Sequence, residues 1–215
     1  MAAAAEVVLE LGPVELAGDL AVPSGAEAIV LFAHGSGSGR RSPRNRSVAA
    51  TLQDAGLATL LFDLLTDEEE TIDERTAELR FDISLLADRL LGATRWVRAQ
   101  DDLQGMRIGY FGASTGAAAA LVAAAEDQRI GAVVSRGGRP DLAQDSLARV
   151  ISPTLLIVGG ADVRVIAMNE EAMEQLRCEK RMEIVPGGSH LFEEPGALER
   201  VAELARDWFA EKLAS

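Results

Sequence analysis

Apolar and polar positions alternate between two rhythms along this chain. Short continuous apolar runs stand at Ala28 to Ala33, Leu57 to Phe62, Ile108 to Phe111, Ile130 to Val134 and Pro153 to Val158. Such runs suit strands covered on both faces. Between them lie stretches with helical spacing. Val48, Leu52 and Ala55 share one face after Ser42-Pro43, a capping serine followed by a first-turn proline, and Gly56 stops the helix. Ile83, Leu86, Leu90 and Val97 define a second helix, and Ala117 to Ala125 is an alanine-rich third. A closing helix is expected from about Pro195 to Leu213, with Leu198, Val201, Ala202, Ala205, Trp208 and Phe209 as its apolar stripe. Trp96 and Trp208 are read as core residues, since each lies on such a face.

Two short strands, Glu6 to Leu11 and Val14 to Val22, meet at a Gly12-Pro13 turn and open the chain. Lys180 to Val185 is the last expected strand. The acidic stretch Asp67 to Glu74 reads as a solvated loop, or else as a small flap over a site. The whole pattern predicts one α/β domain over residues 1–215. Its twisted sheet is mainly parallel, with helices on both faces, antiparallel first strands and no cap domain. The loops 34–39, 112–116, 136–138, 159–162 and 187–190 all follow strands, so they belong at one end of the sheet.

Composition narrows the function classes. The chain is 48% hydrophobic and 26% charged, with a net charge of −13. That charge would repel a phosphate backbone, so no nucleic-acid partner is expected. No apolar run approaches the ~18 residues of a membrane span. The start, MAAAAEVVLELG, lacks the basic region of a signal peptide, and Cys178 stands alone. A cytoplasmic protein without membrane attachment, an internal disulfide or a cysteine-based metal site is expected.

Candidate chemistry centres on Met106 to Gly116, MRIGYFGASTG. An apolar strand breaks into Gly112-Ala113-Ser114-Thr115-Gly116 and a helix follows. This is a G-x-S-x-G turn in the strand–turn–helix setting that exposes a serine hydroxyl. A serine needs a base. The chain has two histidines, His34 and His190. His190 follows the last strand, and Asp162 follows the strand before it. Ser114, Asp162 and His190 therefore stand in the order nucleophile, acid, base. The imidazole takes the proton, and the carboxylate holds the ring in the useful tautomer. Asp141 is the rival acid. His34-Gly35-Ser36-Gly37 is the expected oxyanion loop, with the Ser36 and Thr115 amides as donors and His34 as a scaffold. Arg40, Arg41, Arg44 and Arg46 crowd after it. They are expected to pair with the acidic stretch at 67–74, or to serve a substrate carboxylate. Arg136 is the best single candidate for that substrate role.

These motifs make the chain resemble a small α/β-hydrolase of the dienelactone hydrolase-like group. HGSGSGR, GASTG, GGAD and GGSHLFEEPGALE fall where that group has its oxyanion loop, elbow, acid and base. The resemblance implies hydrolysis of a small-molecule ester or related acyl compound, with no metal or organic cofactor. It departs at the elbow, where dienelactone hydrolase itself has cysteine and this chain has Ser114. A thioesterase or acyltransferase, and a non-catalytic binding protein on the same scaffold, remain the alternatives. A dehalogenase or epoxide hydrolase of this fold would carry aspartate at position 114.

Overall fold

The structure, a computed structural model, describes residues 4–214. Its strands are β1 (Ala5–Glu10), β2 (Glu15–Ala21), β3 (Ala28–Ala33), β4 (Ala58–Phe62), β5 (Arg107–Ala113), β6 (Ala132–Arg136), β7 (Thr154–Gly159) and β8 (Lys180–Val185). They form one sheet in the order β1-β2-β4-β3-β5-β6-β7-β8. β1 and β2 are antiparallel to each other, β2 is antiparallel to β4, and every later pairing is parallel. The six helices are α1 (Pro43–Asp54), α2 (Asp67–Thr76), α3 (Ile83–Ala99), α4 (Thr115–Glu126), α5 (Val163–Gln175) and α6 (Ala197–Lys212).

The apolar runs are strands because both of their faces are covered. Along β3, Ile29, Leu31 and Ala33 enter one core while Ala28, Val30 and Phe32 enter the other. The first core is closed by α3 and α4, the second by α1 and α6. Alanines at 117–120 are fully buried, so α4 seats close beneath the sheet where larger side chains would hold it off. Trp208 is buried in the second core as expected, and Trp96 packs partly buried against the first.

The acidic stretch departs from its expected loop. It is the helix α2, with few apolar positions to announce it. Thr66 and Glu69 form a reciprocal capping box, and Asp67, Glu68, Glu69 and Glu70 fill the first turn, where the helix dipole favours negative charge. Arg89 bonds Glu69 at 2.6 Å, and Arg80 bonds the buried Asp73 at 2.6 Å. Capping and ion pairs hold this helix where hydrophobic periodicity is weak. Further elements had no individual expectation, namely α5, a 3₁₀ segment, Pro140–Arg149, and two short 3₁₀ turns, Leu79–Phe81 and Asp101–Leu103.

Three of the arginines at 40–46 also find partners other than those expected, Arg44 reaching Glu193 at 3.6 Å. Arg40, nearly buried, bonds Glu6, Asp19 and Asp63 at 2.8, 2.6 and 3.1 Å. Arg46 bonds Asp19 at 2.9 Å. Arg40 thus ties the loop after β3 to β1, to β2 and to the residue following β4. Arg40→Gln leaves Asp63 without its cation and Asp19 with Arg46 alone, and should cost about 2–4 kcal/mol in urea unfolding, with the denaturant slope unchanged. A loss under about 0.5 kcal/mol would mean the cluster is ordinary surface pairing.

Candidate active site

β5 runs straight into Ser114, whose φ of 50° and ψ of −119° lie outside the regions that L-residues favour. Such a conformation costs on the order of 1–3 kcal/mol and persists only when its surroundings dictate it. They do so here. The Ser114 amide donates to the Arg136 carbonyl at 3.2 Å, and its carbonyl accepts from the Ala117 and Arg139 amides, each at 3.1 Å. The flanking glycines are forced by close approach. A Cβ on Gly116 would lie 2.2 Å from the Ala33 carbonyl oxygen, and one on Gly112 would lie 2.4 Å from the Ala117 Cα. Ser114 therefore sits half-buried between the end of β5 and the start of α4.

His190 Nδ1 and Asp162 Oδ2 are 2.7 Å apart, bridging 28 residues. Their loops pack backbone against backbone. The Gly160 amide donates to the Val185 carbonyl at 2.8 Å, and the Ala161 amide to the Gly188 carbonyl at 2.9 Å. A Cβ on Gly159 would lie 2.3 Å from the Gly188 oxygen. Glu194 closes the histidine loop by accepting the Ser189 amide at 2.8 Å, a bond that holds its carboxyl below the usual range. Phe192 turns the chain there with φ 56°, its ring buried. Neither Glu194 nor Phe192 was singled out from the sequence, although both lie in the GGSHLFEEPGALE motif. The rival acid Asp141 is engaged elsewhere, bound by Arg139 at 2.9 and 2.7 Å through both oxygens.

The loop after β3 meets the elbow from the other side. Ser36 Oγ and Thr115 Oγ1 are 3.1 Å apart, joining residues separated by 79 positions. The two candidate oxyanion donors thus stand on touching segments. His34 fastens this loop. Its Nε2 accepts the Leu64 amide at 2.9 Å and its Nδ1 lies 3.0 Å from the Gly35 carbonyl. That pairing needs a neutral ring protonated at Nδ1. Burial pushes the His34 pKa below 6.5.

Beside the loop after β3 lies a small cavity of about 10 Å³, lined by His34, Ser36, Thr115, Leu64, Leu65 and Leu86 together with Glu70, Asp73 and Arg80; neither Ser114 nor His190 lines it. Glu70 and Asp73 come from α2, so the acidic stretch does wall this space. Burial would raise the Asp73 pKa, but bonds from the Arg80 amide and guanidinium outweigh it. Burial, and the Asp73 charge behind it, push the Glu70 carboxyl up. Arg136 does not line this cavity. It is the last residue of β6, not a loop residue, and is 8% exposed. Among the described residues, no group of three or more His, Cys, Asp or Glu side chains is arranged to hold a metal ion. No helix among them is long and apolar enough to cross a membrane.

The neutral His34 has a measurable consequence. Unfolded chains take up the imidazole proton near pH 6.5, and the folded state resists it. Stability should therefore fall as pH drops below about 6.5. The urea midpoint should be lower at pH 5.5 than at pH 7.5, and His34→Gln should lack this step. A midpoint independent of pH in that window would contradict the assigned tautomer.

Comparison with known proteins agrees with the fold. The model of the dienelactone hydrolase family matches residues 16–213. A crystal structure of a dienelactone hydrolase from Anabaena variabilis is 62% identical, covers 99% of both chains and superposes with a TM-score of 0.97. A lidless α/β serine hydrolase from Xanthomonas campestris, 20% identical with a TM-score of 0.76 over 99% of this chain and 96% of its own, shares the fold. A Mycobacterium tuberculosis protein provisionally named a phosphoribosyl transferase is 56% identical over 97% of this chain. That match takes in 46% of the mycobacterial protein, so the chain spans about half the length of this curated relative. The chain belongs to the dienelactone hydrolase family.

Proposed function

We propose that the protein is a serine hydrolase that cleaves small ester substrates through an acyl-enzyme, with Ser114, Asp162 and His190 as its triad. The observation that carries this reading is the 2.7 Å bond between His190 and Asp162, formed between loops packed beside the strained Ser114. Asp162 occupies Nδ1 and leaves Nε2 for the serine. Ser114 Oγ attacks the acyl carbon while His190 takes its proton. The carbonyl oxygen becomes an oxyanion, held by the amides of Ser36 and Thr115. His190 returns the proton to the departing alcohol. A water then repeats the sequence in reverse, releasing the acid and the free serine. Membership of the family and the name of the Anabaena relative fit hydrolysis. The phosphoribosyl transferase name belongs to a longer protein and is not needed to explain these residues.

Ser114→Ala and His190→Ala should each remove nearly all turnover, of order 10⁶-fold, and the double variant should be little worse. Asp162→Asn should cost up to ~10⁴-fold in kcat by admitting the wrong tautomer. Asp141→Asn serves as the control. If it were the crippling change, the acid would be misassigned.

Among the described residues no cap domain is inserted into the α/β domain, so little protein is available to enclose a long acyl chain. Short acyl groups should therefore be preferred. p-Nitrophenyl acetate and butyrate should be hydrolysed faster than palmitate, and faster palmitate turnover would contradict this preference.

A further inference from the structure

The chain has 34 acidic residues against 21 Lys and Arg, yet one cation lies buried without an acid. Arg136 is 8% exposed, its Nη1 is buried with no hydrogen-bond partner, and among the described residues it forms no ion pair. Leaving a charged donor buried and unsatisfied costs more than a typical single hydrogen bond contributes, so such a group calls for an explanation. Its neighbour makes the cost larger. Arg44 acts on Arg136 as a like charge. Burial first, and Arg44 second, push the Arg136 guanidinium down to about 10, which still leaves it cationic at neutral pH.

Arg44 is itself under-used. Its Nε is buried and unpartnered, and Nη1 reaches only to Glu193 at 3.6 Å, whose side chain is mostly exposed. Arg44 is the second residue of α1, a twelve-residue helix whose dipole adds positive potential at its N-terminal end. The strand alternation places Arg136 on the face of the sheet that α1 and α6 cover, since Val134 two residues earlier packs in that core. The unpaired Arg136 guanidinium and the loosely paired Arg44 therefore belong to the same side of the sheet.

They lie next to the proposed catalytic centre. The Arg136 carbonyl accepts the Ser114 amide at 3.2 Å. A Cβ on the following residue, Gly137, would lie 3.7 Å from His190 Cε1. Glu193 stands three residues past His190 in the same loop. An anion at this place is within reach of a small molecule whose ester lies at Ser114.

We propose that Arg44 and Arg136 form an anion subsite beside Ser114 that takes the phosphate monoester group of the substrate. This rests on the serine hydrolase reading for the adjoining ester. A dianion fits better than a carboxylate, because Arg136 has no acid beside it and Arg44 is met only by the exposed Glu193 at 3.6 Å. Its several oxygens can also be shared between the two guanidinium groups.

Three esters with one acyl group test this at low ionic strength: phenyl acetate, 4-acetoxybenzoate and 4-acetoxyphenyl phosphate. The phosphate should exceed the neutral ester in kcat/KM by about tenfold or more, with the carboxylate between them. Added salt should shrink that ratio. In Arg136→Gln the ratio should collapse toward one, and Arg44→Gln should lower it in part. A ratio of one in the unmutated protein, a carboxylate preferred over the phosphate, or a ratio that survives Arg136→Gln would each overturn the subsite. Calorimetry with inorganic phosphate on Ser114→Ala separates this from the catalytic reading. Phosphate should bind that variant and fail to bind Ser114→Ala/Arg136→Gln. Absence of phosphate binding to Ser114→Ala overturns the subsite and leaves the triad standing. Phosphate binding with no ester turnover in the unmutated protein overturns the triad and the substrate assignment together.

Discussion

The site depends on one backbone constraint, the approach of the Gly116 peptide to the end of β3. With a hypothetical Cβ only 2.2 Å from the Ala33 oxygen, nothing larger than glycine fits there. Because it fits, α4 can start directly above the sheet, and Ser114 is left at the apex with a left-handed backbone. The loop after β3, which begins at His34, then touches the first turn of α4. The Ser36–Thr115 hydroxyl bond at 3.1 Å follows from that approach.

The same kind of constraint works at the other edge of the site. Gly159 meets the Gly188 oxygen as closely as Gly116 meets Ala33, and this seats the acid loop against the base loop. Rigid backbone contact, not long side-chain reach, sets the 2.7 Å distance between Asp162 and His190. The strain at Ser114 and at Phe192 is offset by these hydrogen-bonded loops and by the buried cores beneath them. A parallel sheet contributes the rest, since it delivers all five loops to one end.

Much of this was legible in the sequence because it rests on local pattern. Continuous apolar runs marked β3 to β7, and Gly12-Pro13 marked the antiparallel start. The Ser114, Asp162 and His190 loops could be ordered because each follows a strand. α2 was not legible, since its stability lies in the Thr66–Glu69 box and in ion pairs to Arg80 and Arg89, which hydrophobic periodicity does not record. The partners of Arg40 and Arg46 were hidden for a similar reason. Charges choose neighbours in space, and Asp19 and Asp63 approach only after β2 and β4 pair. The burial of Arg136 was likewise invisible, because an arginine closing a strand reads as exposed until α1 covers it.

The central claim is that Ser114 is an activated nucleophile. The most direct measurement is reaction with a fluorophosphonate probe, followed by mass-spectrometric mapping of the adduct. A single adduct on the Ser114 peptide, lost in His190→Ala, is the result this account predicts. An inert folded protein, or labelling at another residue, would contradict it.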